Sequence, residues 1–266
     1  MEERNRSFEE LIRWDREAHV GGDWHGTLLD YLEKVKLDPD LPKLAHARIY
    51  DRILARGIRE IPEGEQKTIA LTGVHKTYNC FSDEFFGIEK VLAQIVRYFH
   101  SASLKGEESR QVLYLMGPVG SGKSSLVERL ESILEDGPPF YAIDGCPMHE
   151  EPLHLIPRHL RKEFQKMLGL HIEGDLCPVC RFRLAEEYGG RYEDFPVHTV
   201  RFSKRQRVGI GVVPPVDPNN QDTSVLIGSE DISKLDLYSE GDPRVLDLNG
   251  ALNVANRGVC EFIEVF

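Results

Sequence analysis

At 266 residues and 41% hydrophobic composition, the chain has apolar material for one large core or two modest ones. Its formal charge of −11 argues against a dedicated binder of nucleic acid or anionic membrane, so nucleic acid is not an expected partner. No apolar run approaches the about 18 residues of a membrane span, and the first residues, MEERNRSFEELIRWDRE, are charged where a leader peptide is apolar. A cytoplasmic protein without a membrane partner is expected. Five cysteines, an odd number with two in a C-x-x-C pair, suit a reducing compartment and a metal or thiol role better than a disulfide framework.

Residues 1–75 read as a polar, helical N-terminal region. Leu28, Leu29, Leu32 and Val35 make one stripe, and Leu44, Ile49, Ile53, Leu54 and Ile58 make another. Thr27 with Asp30 three residues on forms a capping-box pattern, and Asp38-Pro39 and Leu41-Pro42 separate the two helices. This region is either a helical lead-in or docking module, or an extra layer on the main domain. FSDEFFG, from Phe81, reads as a turn, and Ile88, Val91, Leu92, Ile95, Val96 and Phe99 then mark the buried face of a helix.

Gln111 to Met116 (QVLYLM) has the character of a short buried strand, and Gly117 to Ser125 (GPVGSGKSS) follows it. The loop fits G-x-x-x-x-G-K-[ST], with Gly117, Gly122, Lys123 and Ser124 at the fixed places. Behind it, Leu126, Val127, Leu130, Ile133 and Leu134 make the stripe of an amphipathic helix. Strand, glycine-rich turn and helix are the setting a triphosphate site needs. Glycines let backbone N–H groups and the positive helix end close on a phosphate without side chains in the way. Gly117, Pro118, Val119, Gly120, Ser121, Gly122, Lys123, Ser124 and Ser125 are therefore expected to bind the phosphates of a nucleotide. Lys123 is the expected catalytic cation, and the Ser124 hydroxyl an expected Mg²⁺ ligand.

GPP (Gly137 to Pro139) then turns the chain, and FYAIDG reads as a second strand of a parallel α/β sheet. The next apolar strand candidate, Gly258 to Phe266, lies more than a hundred residues on, so a large insertion over about residues 145–205 is expected. It contains Cys146-x-x-His149 and Cys177-x-x-Cys180, two pairs able to close on one structural Zn²⁺. Twenty-seven residues separate the pairs, and His154 and His171 compete with His149 as fourth ligand. Unliganded cysteines and a redox C-x-x-C are the alternatives. His75 and His198 read as ordinary surface or packing residues. The basic clusters Arg158 to Lys166 and Arg201 to Arg207 read as solvated faces, with contact to phosphate or an acidic partner as the alternative. Gly209 to Asp222 reads as a turn-rich loop.

Several stretches resemble known families. VLIGSEDISKL followed by LNGALNVANRGVCEFIEVF resembles magnesium-chelatase-like AAA+ ATPases, in which an A-N-R-G run leads into the Walker B strand. AHARIYD, FFGIEKVLAQIVRYFHSA, YLMGPVGSGKSSLVERL, EEPLHLIP, GDLCPVCRFRL, RVGIG, PPVDPNNQD and ANRGVCEFIEVF occur here in the order of the N-terminal AAA domain of bacterial PrkA serine protein kinases. The resemblance implies an α/β P-loop NTPase fold of AAA+ type with a parallel central sheet over residues 76–266. It also implies a kinase-like region beyond Phe266, so the chain is expected to be the N-terminal portion of a longer protein. Glu264 falls at the catalytic Glu of Walker B, but Ile263 stands where that family of motifs has Asp. With Asp missing, Mg²⁺ is expected to rest mainly on Ser124, and turnover to be slow. Phosphoryl transfer to a protein Ser or Thr, remodelling of a protein client by a motor or protease-associated ring, and a nucleotide-gated scaffold are the functions left open. The full-length protein is expected to form a homo-oligomeric ring.

Overall fold

The computed structural model describes residues 8, 10, 24–62, 64, 73–215, 223–239 and 241–264. The helical character expected over residues 11–23 and the Asn-rich end of the loop at 216–222 lie outside these. The described α-helices, and the strands of three residues or more, are β1 (His25–Thr27), α1 (Leu28–Leu37), α2 (Ala45–Ala55), β2 (Ile58–Glu60), β3 (Lys76–Tyr78), α3 (Glu89–Ser103), α4 (Lys123–Glu135) and β4 (Phe140–Ile143). They continue with α5 (Arg161–Leu168), α6 (Pro178–Glu186), β5 (Pro196–Val200), β6 (Ile210–Val213), α7 (Ser224–Ile227), α8 (Ala251–Val254) and β7 (Val259–Phe262). No described helix is long and apolar enough to cross a membrane. The chain divides into two compact units, each assembled from separated stretches.

The first unit holds residues 1–42, 139–201 and 231–246. Its sheet runs β1-β5-β4 and is antiparallel throughout, with His198 opposite both His25 and Ala142. The parallel partner expected for FYAIDG is thus replaced by Pro196–Val200, which pairs with it antiparallel from Phe140 opposite Val200 to Ile143 opposite Val197. Helix α1 begins at a true capping box: Thr27 N donates to Asp30 Oδ2 at 2.8 Å, and Asp30 N donates to Thr27 Oγ1 at 3.4 Å. The helix buries Leu28, Tyr31, Leu32 and Val35, while Leu29 faces solvent. Its buried face joins Ile143, Ile156, Phe195, Val197 and the cysteines 146, 177 and 180 in one core.

The second unit holds residues 43–138, 202–230 and 247–266. Helix α2 packs on α3 and α4, burying Ile49 and Ile53 against a layer that includes Leu92, Ile95, Phe99, Leu130 and Ile133. Arg52 and Arg56 reach from α2 to the end of α4, onto Asp136 O at 2.8 Å and Asp136 Oδ2 at 2.6 Å. These bonds tie the far end of the loop-bearing helix. Strands β2 and β3 pair antiparallel, and β6 and β7 pair parallel from Ile210 opposite Val259 to Val213 opposite Phe262.

Two expectations change here. Ile210–Val213, inside the expected loop at Gly209 to Asp222, is a strand, because the β-branched run reaches the edge of β7 before the prolines end it. Gln111 to Met116 is not a strand among the described residues: Val112, Tyr114 and Met116 are exposed and the segment has no ladder partner. A strand needs a neighbour for its backbone groups, and among the described residues this segment is paired with no strand, the β6–β7 sheet having those two strands alone.

Candidate functional site

The loop Gly117 to Ser125 opens α4. Gly122 is the residue just before the helix, at φ +80°, and Gly120 lies at φ +78°, a region where a Cβ is strained. No side chain caps this helix end, so its first N–H groups are free to meet an anion. Lys123 folds its ammonium back over the loop, where Nζ donates to Gly117 O and Pro118 O, both at 2.8 Å. A phosphate entering the cradle would take over that ammonium.

Beside the loop lies a cleft of about 640 Å³. One wall is the face of α4 carrying Ser125, Glu128, Arg129 and Ser132, spaced three and four residues apart; the other includes Phe85, Phe86 and Ile88. Arg129 is fixed there by Nε donating to Cys80 O at 2.8 Å and by Glu84 at 3.7 Å. FSDEFFG is a turn, as its sequence predicts, and its Phe85 and Phe86 also make this wall, which the turn pattern does not foretell. The doubled phenylalanine, one member buried and one exposed, was the available signal. Ser124 is exposed at the second position of α4. Glu264 is also exposed, two residues past β7 at φ +51°, and is not among the residues lining the cleft.

Of the second basic cluster, Lys204 is structural. Its Nζ lies 2.7 Å from Glu131 Oε2 on α4 and 3.3 Å from Glu261 Oε2 on β7, and its N–H donates to Glu135 Oε1 at 2.7 Å. The lysine thus couples the loop-bearing helix to the strand that precedes Glu264. Both carboxylates are nearly buried, and desolvation lifts Glu131 above the usual carboxylate range even though Lys204 pulls it down. A carboxyl with a raised folded value contributes stability at acid pH that is lost as pH rises through that value. Lys204→Met should therefore cost about 2 kcal/mol near pH 7.5, less than a fully buried pair because the ammonium keeps some water. Urea unfolding at pH 5 and 7.5 should find the deficit larger at the higher pH. A pH-independent deficit would contradict the ion-pair account. In the first cluster Arg158 and Arg161 are held by Asp175, so neither basic run is purely a solvated face.

The cysteines of the first unit converge. Cys146 sits in the turn after β4, Cys177 precedes α6, and Cys180 lies in its first turn, with Cys180 N donating to Cys177 Sγ at 3.3 Å. Their sulfurs and a carboxylate oxygen of Glu150 all lie within 4.8 Å of one another, and all four residues are buried. This group could hold zinc. Hydrogen bonds from Cys146 and Cys180 hold the Cys177 thiol far below its ordinary value, while the bond to Cys177 and burial push Cys146 up, and bonds to Cys146 and Cys177 with burial push Cys180 up. His149, expected as fourth ligand, is not in the group. It sits at φ +47° outside the group, and its buried Nδ1 has no hydrogen-bond partner. His171 pairs with Glu173 at the surface, and His198 lies 3.3 Å from Asp144. His75 is exposed.

The family described as the PrkA AAA domain matches residues 26–266. Among curated proteins, the chain is similar to "ATP-dependent protease PrkA" of Bacillus subtilis, 46% identical over 257 residues, covering 94% of this chain and 39% of that protein. It is similar to "Serine/threonine kinase YeaG" of Escherichia coli K12, 38% identical over 192 residues, covering 69% of this chain and 30% of the relative. A weaker likeness, 27% over 122 residues, covers 46% of this chain and 13% of the Lon protease of Treponema pallidum. No solved structure gives a significant match. The chain thus spans less than half the length of these relatives.

Proposed function

The chain belongs to the PrkA AAA domain family, and from that premise we propose that it is the Mg-ATP-binding module of a larger cytoplasmic protein that hydrolyses ATP or transfers its γ-phosphoryl group to a protein Ser or Thr. The observation that carries the reading is the uncapped start of α4 behind the Gly117–Ser125 loop, with Lys123 already over it. The loop N–H groups would hold the β-phosphate, and Lys123 would bridge β- and γ-phosphates as a point charge. Phe86 and Ile88 offer an apolar wall for the base. Ser124 would hold Mg²⁺, which when bound neutralises charge developing on the phosphates. Glu264 would orient the attacking oxygen, and an Arg from a neighbouring subunit of a homo-oligomeric ring would complete the site.

A second reading, an ATP-driven motor serving proteolysis of a protein client, is favoured by the name of the Bacillus relative and by the Lon likeness. Both readings require the same nucleotide site. Full-length protein given γ-labelled ATP separates them: label on Ser or Thr supports the kinase, and free phosphate whose release rises with an unfolded client supports the motor. Glu264→Gln should lower turnover by about 100-fold or more while leaving ATP affinity near wild type. Unchanged turnover would remove Glu264 from the chemistry and favour a nucleotide-gated scaffold.

A further inference from the structure

Independently of the nucleotide site, we propose that Cys146, Cys177, Cys180 and Glu150 form a structural zinc centre, with Glu150 in the place that C-x-x-H spacing gives to His149. Zinc with three sulfur arms of about 2.3 Å sets ligand atoms about 4 Å apart in a tetrahedron, and the four atoms here are already within 4.8 Å. They come from two stretches, Cys146 to Glu150 and Cys177 to Cys180, that are distant in sequence and brought together by the core, so an ion would staple the turn after β4 to the start of α6.

The surroundings suit a cation held by anions. Cys177 N donates to Glu150 Oε1 at 2.7 Å, which fixes the carboxylate and leaves Oε2 turned toward Cys146 Sγ at 3.6 Å. His154 Nδ1 stands 3.7 Å from the same Oε1, behind the carboxylate rather than among the sulfurs. Cys180 N donates to Cys177 Sγ, and the positive end of α6 faces the group. Arg183 Nη1 donates to Asp144 O at 2.7 Å, tying α6 to the turn that carries Cys146. Such outer donors orient ligands and offset the excess negative charge of three thiolates and a carboxylate around one dication. A redox pair fits less well, because all three sulfurs are buried and a third thiol shares the pocket. Binding would release the thiol protons, leaving three thiolates on the metal.

The test is metal content and spectrum. The chain produced with zinc should carry about one zinc per molecule, and cobalt exchanged into it should give the thiolate-to-cobalt charge-transfer bands of a tetrahedral, sulfur-rich site. Cys177→Ser with Cys180→Ser should abolish both. Glu150→Ala should weaken zinc by more than the roughly 10–100-fold that loss of an outer partner costs, while His149→Ala leaves it unchanged. Should the serine variants not fold, the cobalt spectrum of the wild-type chain decides. Absence of stoichiometric metal, a cobalt spectrum without thiolate bands, or zinc lost with His149→Ala but kept with Glu150→Ala would overturn the proposal.

Discussion

Lys123→Ala should all but erase the stabilisation that Mg-ATP gives this chain. At a nucleotide concentration about 100 times Kd, binding to the folded state alone adds about 2.7 kcal/mol, roughly 5–11 °C in Tm for a chain of this size. Lys123 is the cation of the loop, and a charged hydrogen bond to phosphate contributes up to about 3 kcal/mol, or roughly a hundred-fold in Kd. At the same nucleotide concentration the variant would then sit near its own Kd, with a shift of about 1 °C. Without nucleotide the variant should melt close to wild type, because the two bonds from Nζ to Gly117 O and Pro118 O lie at the exposed surface. Thermal scans of both proteins, with and without Mg-ATP, decide it. A full ATP shift in the variant would show that the phosphates bind elsewhere.

Gly258→Ala should be among the most damaging single changes in the second unit. A Cβ built on Gly258 would lie 1.6 Å from Gly209 O and 2.5 Å from Gly209 C. Those atoms are backbone, held by Val259 N donating to Gly209 O at 2.8 Å, so no rotamer change relieves the clash. Separating the two strands enough to admit a methyl would break the start of the β6–β7 pairing. The expected loss is about 3 kcal/mol or more, roughly 6–12 °C in Tm. Gly64→Ala is the control: a Cβ there meets nothing within 4 Å, and its effect should stay within about 0.5 kcal/mol. A neutral Gly258→Ala would mean that the close approach of RVGIG and ANRG is not needed.

That approach also marks where sequence reading reaches its limit. The loop, its helix and the helix before it were legible because their signals are local: spacing of glycines, a lysine at the helix start, and apolar residues at helical period. The capping box at Thr27 and Asp30 was legible for the same reason. What could not be read were partners distant in sequence. FYAIDG declares a strand but not whether its neighbour is parallel, and that neighbour, Pro196–Val200, lies over fifty residues on. Lys204 looks like one more basic surface residue until Glu131 and Glu261 are brought to it. Glu150 has no motif of its own; next to His149 it is the less expected ligand, and only the packing of Cys177 N on its carboxylate singles it out.

The measurement closest to the central claim is a calorimetric titration of the chain with ATP and Mg²⁺, repeated with AMP. A cradle built for a β-phosphate should give one saturable site per chain for ATP, and binding of AMP weaker by at least about 100-fold, since AMP brings neither of the phosphates that the loop and Lys123 would hold. No saturable heat with ATP, or AMP binding as tightly as ATP, would contradict it.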